Sequence, residues 1–441
     1  MDAAAGKDFL TVMDDTKRIY TDPVLEEKHL SAHGINYFQS GMLSVAGVEN
    51  HIVLPLRQER VDARGAKFSG GIVDDDFRFY PPCAHVHDLT CEIGSLKKGY
   101  DFDPASVVND DRTVVWGGVL FDHFGHFLCE SLNRLWYVVN HSEQAYPVVF
   151  ICEKTRAISA AVRSLLELLD LSGDRLILID RPTRFAKIIV PEASSVLTGF
   201  YTKEFPLPFR AIAQKIASRP FEKVYFSRRK FRGGIKIYGE DKLEKVFRKN
   251  GYKIVYPEQI SLREQIAYVK GAKEIACVMG SAAHLSLFAS PGTKLIVLER
   301  TEHINKEQIL INQAMELDWY SVCANMNYLP VGHEFSPILM GITDYAAAFF
   351  TDHGFSFNRK DVNRISDRCV RRFNQAWLSR YSSFKHNSQL EQIPPVYVHR
   401  LRLYCQTAFL SLRQRLFMKR TEGEFRVWSI LGFSFKTKRH G

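Results

Sequence analysis

The sequence predicts an α/β protein with two Rossmann-like halves that face a central cleft, followed by a basic helical tail. Short apolar strands alternate with amphipathic helical segments in both halves, which is the pattern of parallel βαβ units. A linker with three prolines separates the halves, and the tail has a different charge from the body. We therefore divide the chain into an N-terminal domain at 1–204, a C-terminal Rossmann-like domain at 205–330, a helical extension at 331–395 and a tail at 396–441.

The first half begins with strands and turns. The segment HIVLPLR at 51–57 predicts a strand. The run Asp74–Asp76 predicts a hairpin turn, because aspartates bond to the local backbone there, and this is favoured over a metal-binding role. The polar helix discussed below is predicted over 124–140. The remaining elements of this half are predicted as strands at 148–152, 176–180 and 187–190 and a helix at 155–170.

The second half alternates more regularly, which is typical of a Rossmann-like domain. Its strands are predicted at 223–227, 252–256, 274–278 and 294–299. Its helices are predicted at 240–250, 261–271, 281–289 and 305–316. Ligands of such sheets bind beyond the carboxyl ends of the strands. Further helices are predicted near 341–352 and 362–380.

Composition and charge exclude several classes of protein. Hydrophobic residues make up 46% of the chain, so it can bury a core and is not disordered as a whole. No apolar stretch approaches the ~18–20 residues of a membrane-spanning helix, and the start lacks the features of a secretory signal. Eight cysteines without a CxxC pair indicate reduced core residues. We therefore expect a cytoplasmic protein.

The tail carries most of the net charge. Residues 396–441 hold ten Lys and Arg against two Glu, a charge of +8 out of +10 for the chain. Apolar residues recur at helical spacing over 401–417. A basic amphipathic helix is typical of a membrane-surface element, which would place the protein at the inner face of an anionic membrane. A helix packed on its own domain is the alternative, whereas nucleic-acid binding is disfavoured because no reader fold accompanies the charges.

One short segment carries possible metal ligands. Cys83, His85, His87 and Cys91 could ligate zinc, but their spacing matches no common zinc module. The first three alternate, as on one face of a strand. A strand face is therefore preferred, and neither a metal ion nor another cofactor is predicted.

Polar residues follow the strands of the second half, where a ligand is expected. Arginines after strand 223–227 suit a diphosphate, because guanidinium groups pair with phosphate oxygens in a bidentate fork. After strand 274–278, a glycine turn leads into a helix whose free N–H groups would favour an anion. His284 on this helix would contact phosphate or simply pack. The candidate binding residues are Ser227, Arg228, Arg229, Arg232, Glu240, Glu258, Gln265, Gly280, Ser281 and His284.

The predicted helix 124–140 is the candidate catalytic element. His126, Glu130 and Arg134 are spaced four residues apart and would share one helix face. A buried Glu130–Arg134 ion pair that braces the fold is the favoured interpretation of the last two. His126 near the helix start is the preferred catalytic residue over a packed core histidine, and Asp122 is the second choice.

Several of these segments resemble glycosyltransferase family 61. The resemblance rests on FGHFLCESLNRLW, on VYFSRRKFRGG and on the stretch from YGEDKLEKVF to GTKLIVLE, and it spans about residues 45 to 325. Three positions depart from the family pattern. Met279 stands where the family has His, Ser281 replaces Ala, and Gly239 replaces the Asn beside Glu240.

The resemblance implies a GT-B architecture and an inverting, metal-independent transfer from a nucleotide sugar. The lack of an N-terminal anchor makes the chain similar to bacterial members, which act on glycan or lipid-linked acceptors in capsule, lipopolysaccharide or exopolysaccharide synthesis. Such a transfer needs a base for the acceptor hydroxyl and cations for the leaving diphosphate. Met279 supports a different hypothesis, a non-catalytic scaffold protein of polysaccharide assembly, and a phosphate-ester hydrolase is a third.

Overall fold

The computed structural model describes most of the chain between residues 41 and 384. The described residues are 9–10, 18–21, 38–39, 41–62, 65–89, 92–152, 158–197, 199–231, 233, 235–301, 304–329, 336–384, 417–422, 425–430 and 433–438. Within these ranges, no helix is both long enough and apolar enough to cross a membrane.

A seven-stranded mixed sheet forms the first half. Its strands are β4 Val45–Glu49, β5 Ile52–Asp62, β6 Gly65–Val73, β7 Val108–Val119, β8 Val148–Ile151, β9 Leu176–Ile179 and β10 Thr183–Pro191. The spatial order is β6-β5-β10-β7-β8-β9, and β4 also pairs with β10. The strands from β10 to β9 are parallel, whereas β4, β5 and β6 pair antiparallel. The strands predicted at 51–57, 148–152, 176–180 and 187–190 are confirmed.

A six-stranded parallel sheet forms the second half. Its strands are β2 Ile19–Tyr20, β13 Lys223–Phe226, β15 Lys253–Val255, β16 Glu274–Val278, β17 Lys294–Glu299 and β18 Asp318–Cys323. The spatial order is β15-β13-β16-β17-β18-β2. The chain runs from β13 outwards to β15 and then returns to β16, so the topological switch point lies between β13 and β16.

Three smaller sheets complete the strands. The first contains β1 Phe9–Leu10, β3 Phe38–Gln39, β11 Ser195–Val196 and β12 Phe200–Tyr201. The second contains β14 Ile237–Tyr238 and β19 Ile338–Leu339. The third contains β20 Phe417–Glu422, β21 Phe425–Ile430 and β22 Phe433–Lys438. The last group is an antiparallel meander. The predicted helical tail is therefore wrong from Phe417 onwards, because 417–438 alternates with period two and has Gly423 and Gly432 between its strands. The predicted helix over 401–416 lies outside the described residues.

Helices cover both large sheets and the C-terminal extension. Their bounds are α1 Phe124–His126, α2 Trp136–Asn140, α3 Ala160–Leu168, α4 Leu207–Gln214, α5 Glu240–Lys249, α6 Leu262–Gly271, α7 Lys306–Ala314, α8 Asp344–Asp352 and α9 Asp367–Phe384. Two predicted helices differ from expectation. Residues 281–289 hold only a 3-10 helix, Ala283–Phe288, and residues 124–140 are interrupted between α1 and α2.

One hydrophobic core runs through both halves. Phe150 and Leu166 of the first half and Phe226 and Leu295 of the second belong to the same buried cluster. An aromatic chain joins the halves, with ring-centroid distances of 4.2 Å for Tyr201–Phe205, 5.1 Å for Phe205–Phe209 and 5.7 Å for Phe209–Phe288. Phe288 ends the 3-10 helix after β16, so this core fixes the strand-end residues of the second sheet relative to the first half.

Candidate functional site

Three imidazoles surround one buried carboxylate in the first half. The Glu130 side chain is 1% exposed. Its Oε1 lies 3.1 Å from Nε2 of His85 and 2.8 Å from Nδ1 of His87, and its Oε2 lies 2.5 Å from Nδ1 of His126. We call His85, His87, His126 and Glu130 the histidine cluster.

A π-helical turn produces this arrangement. Residues Phe127–Ser131 form a π-helix between α1 and α2, and the chain then passes through a turn at 132–135. The wider turn keeps His126 and Glu130 in contact but rotates Arg134 away. Arg134 donates instead to the backbone carbonyls of Pro191 and Ala84. The predicted Glu130–Arg134 ion pair is therefore wrong, because the regular helical spacing on which it relied is broken.

The charge of Glu130 fixes the tautomer of His126. Burial favours a higher pKa for Glu130, but the hydrogen bonds from His126, His85 and His87 outweigh it and hold the pKa well below its usual range. An ionised carboxylate only accepts hydrogen bonds, so Nδ1 of His126 must carry the proton. Nε2 of His126 is then left with its lone pair. The same carboxylate raises the pKa of His87 through its hydrogen bond.

The second part of the site lies at the switch point of the parallel sheet. Arg228 follows β13, Gly280 follows β16, and Arg300 follows β17. A methyl group built on Gly280 would lie 3.2 Å from Nη1 of Arg228 and 3.6 Å from Nη1 of Arg300. Gly280 also has a φ of +142°, which other residues rarely adopt. Both guanidinium groups therefore lie against the glycine turn.

These two arginines share surroundings that favour an anion. Burial and, to a smaller extent, the charge of Arg228 lower the pKa of Arg300 to about 10. Burial also lowers the pKa of Arg228. Nε of Arg228 is buried without a hydrogen-bond partner within the described part of the chain. Two half-buried cations at one turn, without a carboxylate in contact with either in that part, are suited to bind an anionic group.

Arg229 has different surroundings from its neighbour. Its Nη1 donates to Oε2 of Glu244 at 3.0 Å, and Glu244 also accepts from Arg248 and from the hydroxyl of Tyr256. Glu244 is 1% exposed. Ser227 donates to the same carboxylate at 3.3 Å. These contacts favour a structural role for Arg229 and Ser227, and they leave Arg228 as the better anion ligand.

Glu240 lies next to the arginine pair, where it contacts the backbone of Arg228. It is buried, and its Oε1 accepts from the hydroxyl of Tyr225 at 3.0 Å and from the backbone N–H of Arg228 at 2.9 Å. Burial raises the pKa of Glu240. A cleft of about 940 Å³ opens beside it, lined on the other side by α9, with Lys236, Arg368 and Arg372 among its walls. Arg229 also lines this cleft, which therefore adjoins the segment that carries Arg228.

The other predicted residues are spread around the two parts of the site. Glu258 is exposed, and Gln265 donates to the carbonyl oxygen of Pro257 at 2.9 Å. Asp122 accepts from the backbone N–H of Ser159 at 2.7 Å. His284 is buried and packs, with Nδ1 2.9 Å from Oε1 of Gln308, and burial lowers its pKa to about 4. Arg232 lies outside the described residues.

The two parts of the site lie next to each other. A methyl group built on Gly125 would lie 3.4 Å from Oγ of Ser281 and 3.5 Å from Cδ2 of His284. His126 follows Gly125, and Ser281 follows Gly280, so the segment that carries His126 lies against the segment that contacts the arginines. The predicted α-helix N-terminus at Ser281 is absent, because this segment forms a short 3-10 helix; the arginines therefore supply most of the positive charge.

Residues 124–296 match the family model described as Glycosyltransferase 61. This part of the chain belongs to glycosyltransferase family 61. The resemblance predicted from the sequence is confirmed over that range, and it supports a glycosyltransferase activity in general terms. A search of curated proteins found no match to the chain.

The family 61 region contains His126, Glu130, Arg228 and Gly280, but the structure adds residues on either side of it. Arg300 was missed, although its place directly after the strand KLIVLE could have indicated it. His85 and His87 were noted only for their alternation. No sequence pattern indicates that their partner is Glu130, 45 residues away from His85.

One departure from the family pattern has a structural reason. Gly239 precedes α5 with a φ of +85°, and a methyl group built on it would lie 2.0 Å from the carbonyl oxygen of Met340. An asparagine side chain does not fit at this position. The helical extension that carries Met340 therefore requires the glycine.

Proposed function

We propose that the protein is an inverting, metal-independent glycosyltransferase that moves a sugar from a nucleotide-sugar donor to a glycan or lipid-linked acceptor. The observation that carries this proposal is the pair Arg228 and Arg300 at Gly280. The next residue, Ser281, lies against Gly125, which precedes His126 of the histidine cluster. The family 61 region supports the general activity. The nucleotide-sugar donor, the inverting course and the independence from metal are what the resemblance to the family implies, and the arginine pair agrees with them.

The proposed layout is GT-B, with an acceptor-side domain at 1–204 and a donor-binding domain at 205–330. The donor diphosphate would lie at the switch point of the parallel sheet, where ligands of such sheets bind. Arg228 and Arg300 would pair with its oxygens, and the nucleoside would extend past Glu240 towards the cleft at α9. Glu240 would then accept hydrogen bonds from the ribose or sugar hydroxyls.

His126 is the proposed general base. Its Nε2 would remove the proton of the acceptor hydroxyl as the oxygen attacks the anomeric carbon. The bond from this carbon to the diphosphate oxygen breaks on the opposite face, so the configuration inverts. Glu130 would hold Nδ1–H of His126 and stabilise the imidazolium that forms. The arginines would stabilise the charge that develops on the diphosphate.

The biological setting proposed is bacterial surface-polysaccharide synthesis at the inner membrane face. It rests on the resemblance to bacterial family members and on the charge of residues 396–441. The partners would be a nucleotide sugar, an acceptor glycan and an anionic lipid surface, without nucleic acid.

Incubation of the full chain with a nucleotide-sugar library and lipid-linked acceptors, followed by mass spectrometry, tests the function. We expect one donor to give an acceptor product heavier by one sugar, and the R228A variant to give little product. Binding of a nucleotide without any transfer would favour a hydrolase or an inactive enzyme. If no nucleotide binds by saturation-transfer NMR, the scaffold hypothesis replaces this proposal.

A further inference from the structure

We propose that His85, His87 and Glu130 form a binding site for one divalent transition-metal ion, with zinc as the ion that fits best. The three residues offer two imidazole nitrogens and a carboxylate oxygen, and these atoms all lie within 4.8 Å of one another. Two histidines and a carboxylate are a known zinc ligand set, which leaves a fourth position open. The proposal does not depend on the sugar-transfer function.

The distances in the cluster suit a small cation. Oε1 of Glu130 lies 3.1 Å from Nε2 of His85 and 2.8 Å from Nδ1 of His87. Bonds of about 2.0–2.2 Å to zinc place tetrahedral ligands about 3.3 Å apart. The two carboxylate–imidazole distances therefore need to lengthen by only a few tenths of an ångström to admit the ion, and the two imidazole nitrogens already lie within 4.8 Å of each other.

The charge balance points in the same direction. Glu130 is a buried anion, and burying a carboxylate is costly unless a cation compensates it. Arg134 is four residues away but donates to backbone carbonyls. In the described part of the chain, the ion pairs of Glu130 are with histidines alone. A dication bound by neutral imidazoles would replace the hydrogen bonds from His85 and His87 in compensating this carboxylate.

The ion also has a route of entry and does not displace His126. The side chain of His87 is 26% exposed and that of His126 is 39% exposed, so the cluster opens to solvent on this side. His126 contacts Oε2 of Glu130, whereas the proposed ligand atom is Oε1. The carboxylate could therefore hold the ion with one oxygen and orient His126 with the other.

The proposed ligands differ from the four possible zinc ligands in the sequence segment 83–91, because Glu130 takes the place of Cys83 and Cys91. Sγ of Cys83 accepts a hydrogen bond from the backbone N–H of Ile72 and is buried between other groups. Cys91 lies outside the described residues. A metal ion at this site was not expected from the sequence, and the arginines would still stabilise the diphosphate.

Cobalt titration of the full chain tests the proposal. The protein is first dialysed against a chelator, and Co²⁺ is then added while visible absorption is recorded. We expect one equivalent to bind with the d–d bands of a four- or five-coordinate site, and zinc to displace it. H87A and H85Q should bind cobalt at least about a hundredfold more weakly. Mutation of a residue that only supports a metal ligand already weakens metal binding by about 10- to 100-fold, so loss of a ligand should weaken it at least as much.

H51A is the matched control, because His51 lies outside the histidine cluster. Among the described contacts, its side chain contacts the backbone carbonyl of Glu49 and the ring of Tyr80. It should bind cobalt like the natural protein. Thermal unfolding gives a second measurement that does not depend on the variants: zinc, but not magnesium, should raise the melting temperature of the chelated natural protein. Absence of a stoichiometric cobalt spectrum, or equal binding by H87A and H51A, would overturn the proposal whatever the transferase assay shows.

Discussion

The histidine cluster and the arginine pair differ in how their buried charges are compensated. In the histidine cluster, one carboxylate accepts from three imidazoles, so each oxygen of Glu130 has a partner. At the switch point, Arg228 and Arg300 lie side by side; burial lowers the pKa of both, and the charge of Arg228 also lowers the pKa of Arg300. One region is preorganised by its own side chains, whereas the other needs an anionic ligand to balance it.

The contrast between Arg228 and Arg229 makes the same point at a smaller scale. The two residues are adjacent in sequence and follow the same strand. Arg229 is paired with Glu244, but Arg228 faces Gly280 and Arg300. A cation without an acid partner near a turn is thus a better indicator of a ligand site than the number of cations in the segment.

The largest expected effect is on the acceptor side. H126A should lower kcat by two to four decades, because a positioned general base contributes about that much. Nucleotide binding, measured by calorimetry, should remain unchanged. The matched control is H141A, since His141 stacks on Tyr137 outside the cluster. A near-normal kcat for H126A would remove His126 from the mechanism.

The next effect concerns the arginine pair. R228A and R300A should each lower the rate of transfer about a hundredfold, which corresponds to roughly 3 kcal/mol of transition-state stabilisation. Lysine should restore only part of the rate, because it lacks the bidentate fork. Steady-state kinetics with circular dichroism as a folding check measures this. If R229A lost as much activity as R228A, the distinction between the two residues would be untenable.

R229A should instead affect stability. Glu244 would lose one of its charged donors while keeping Arg248 and Tyr256. The expected loss of unfolding free energy is about 1 kcal/mol, at the low end for such bonds, because the Arg229 side chain is 42% exposed and water screens the pair. Urea denaturation measures it. R263A, an exposed arginine of α6, should leave the midpoint unchanged.

Truncation after Pro395 should leave both regions of the site active. The removed residues carry +8 of the charge of +10, and the family 61 region ends at residue 296. We expect the truncated protein to lose binding to anionic vesicles and to keep activity on a short soluble acceptor. Binding of the full chain should weaken above ~0.15 M salt as the Debye length falls below ~8 Å. Co-sedimentation of the truncated protein with vesicles, or its unfolding, would contradict this role.

The smallest expected effect is that of magnesium or manganese. Since the arginines are proposed to stabilise the diphosphate, adding either ion to chelated enzyme should leave the rate unchanged. The three aspartates of the Asp74–Asp76 turn have partners of their own. Oδ1 of Asp74 accepts from the N–H groups of Asp76 and Arg78, Asp75 pairs with Arg184, and Asp76 pairs with Arg78. Strong stimulation by manganese that persists in H87A and is lost in D75N would reassign this turn as a metal site.

The strands and turns were the most predictable part of the fold. β16 and β17 begin and end at the predicted residues, and Asp74 forms the predicted turn. These features depend on neighbours in the sequence, such as apolar runs between turn residues. The predicted helix after β16 was less accurate, because packing of Ala283–Phe288 on both halves of the core leaves only a 3-10 helix.

The sequence by itself determined the parallel βαβ units, the glycine turn after β16 and the cations that follow β13, because each is specified by residues close together in the chain. Only the tertiary structure decided which charges pair. Glu130 meets His85 across 45 residues, and Arg228 meets Arg300 across 72 positions at Gly280. Glu130 turns away from Arg134 because a π-helical turn intervenes. Helical periodicity does not predict such an interruption, so the partners of buried charges follow from packing between distant segments.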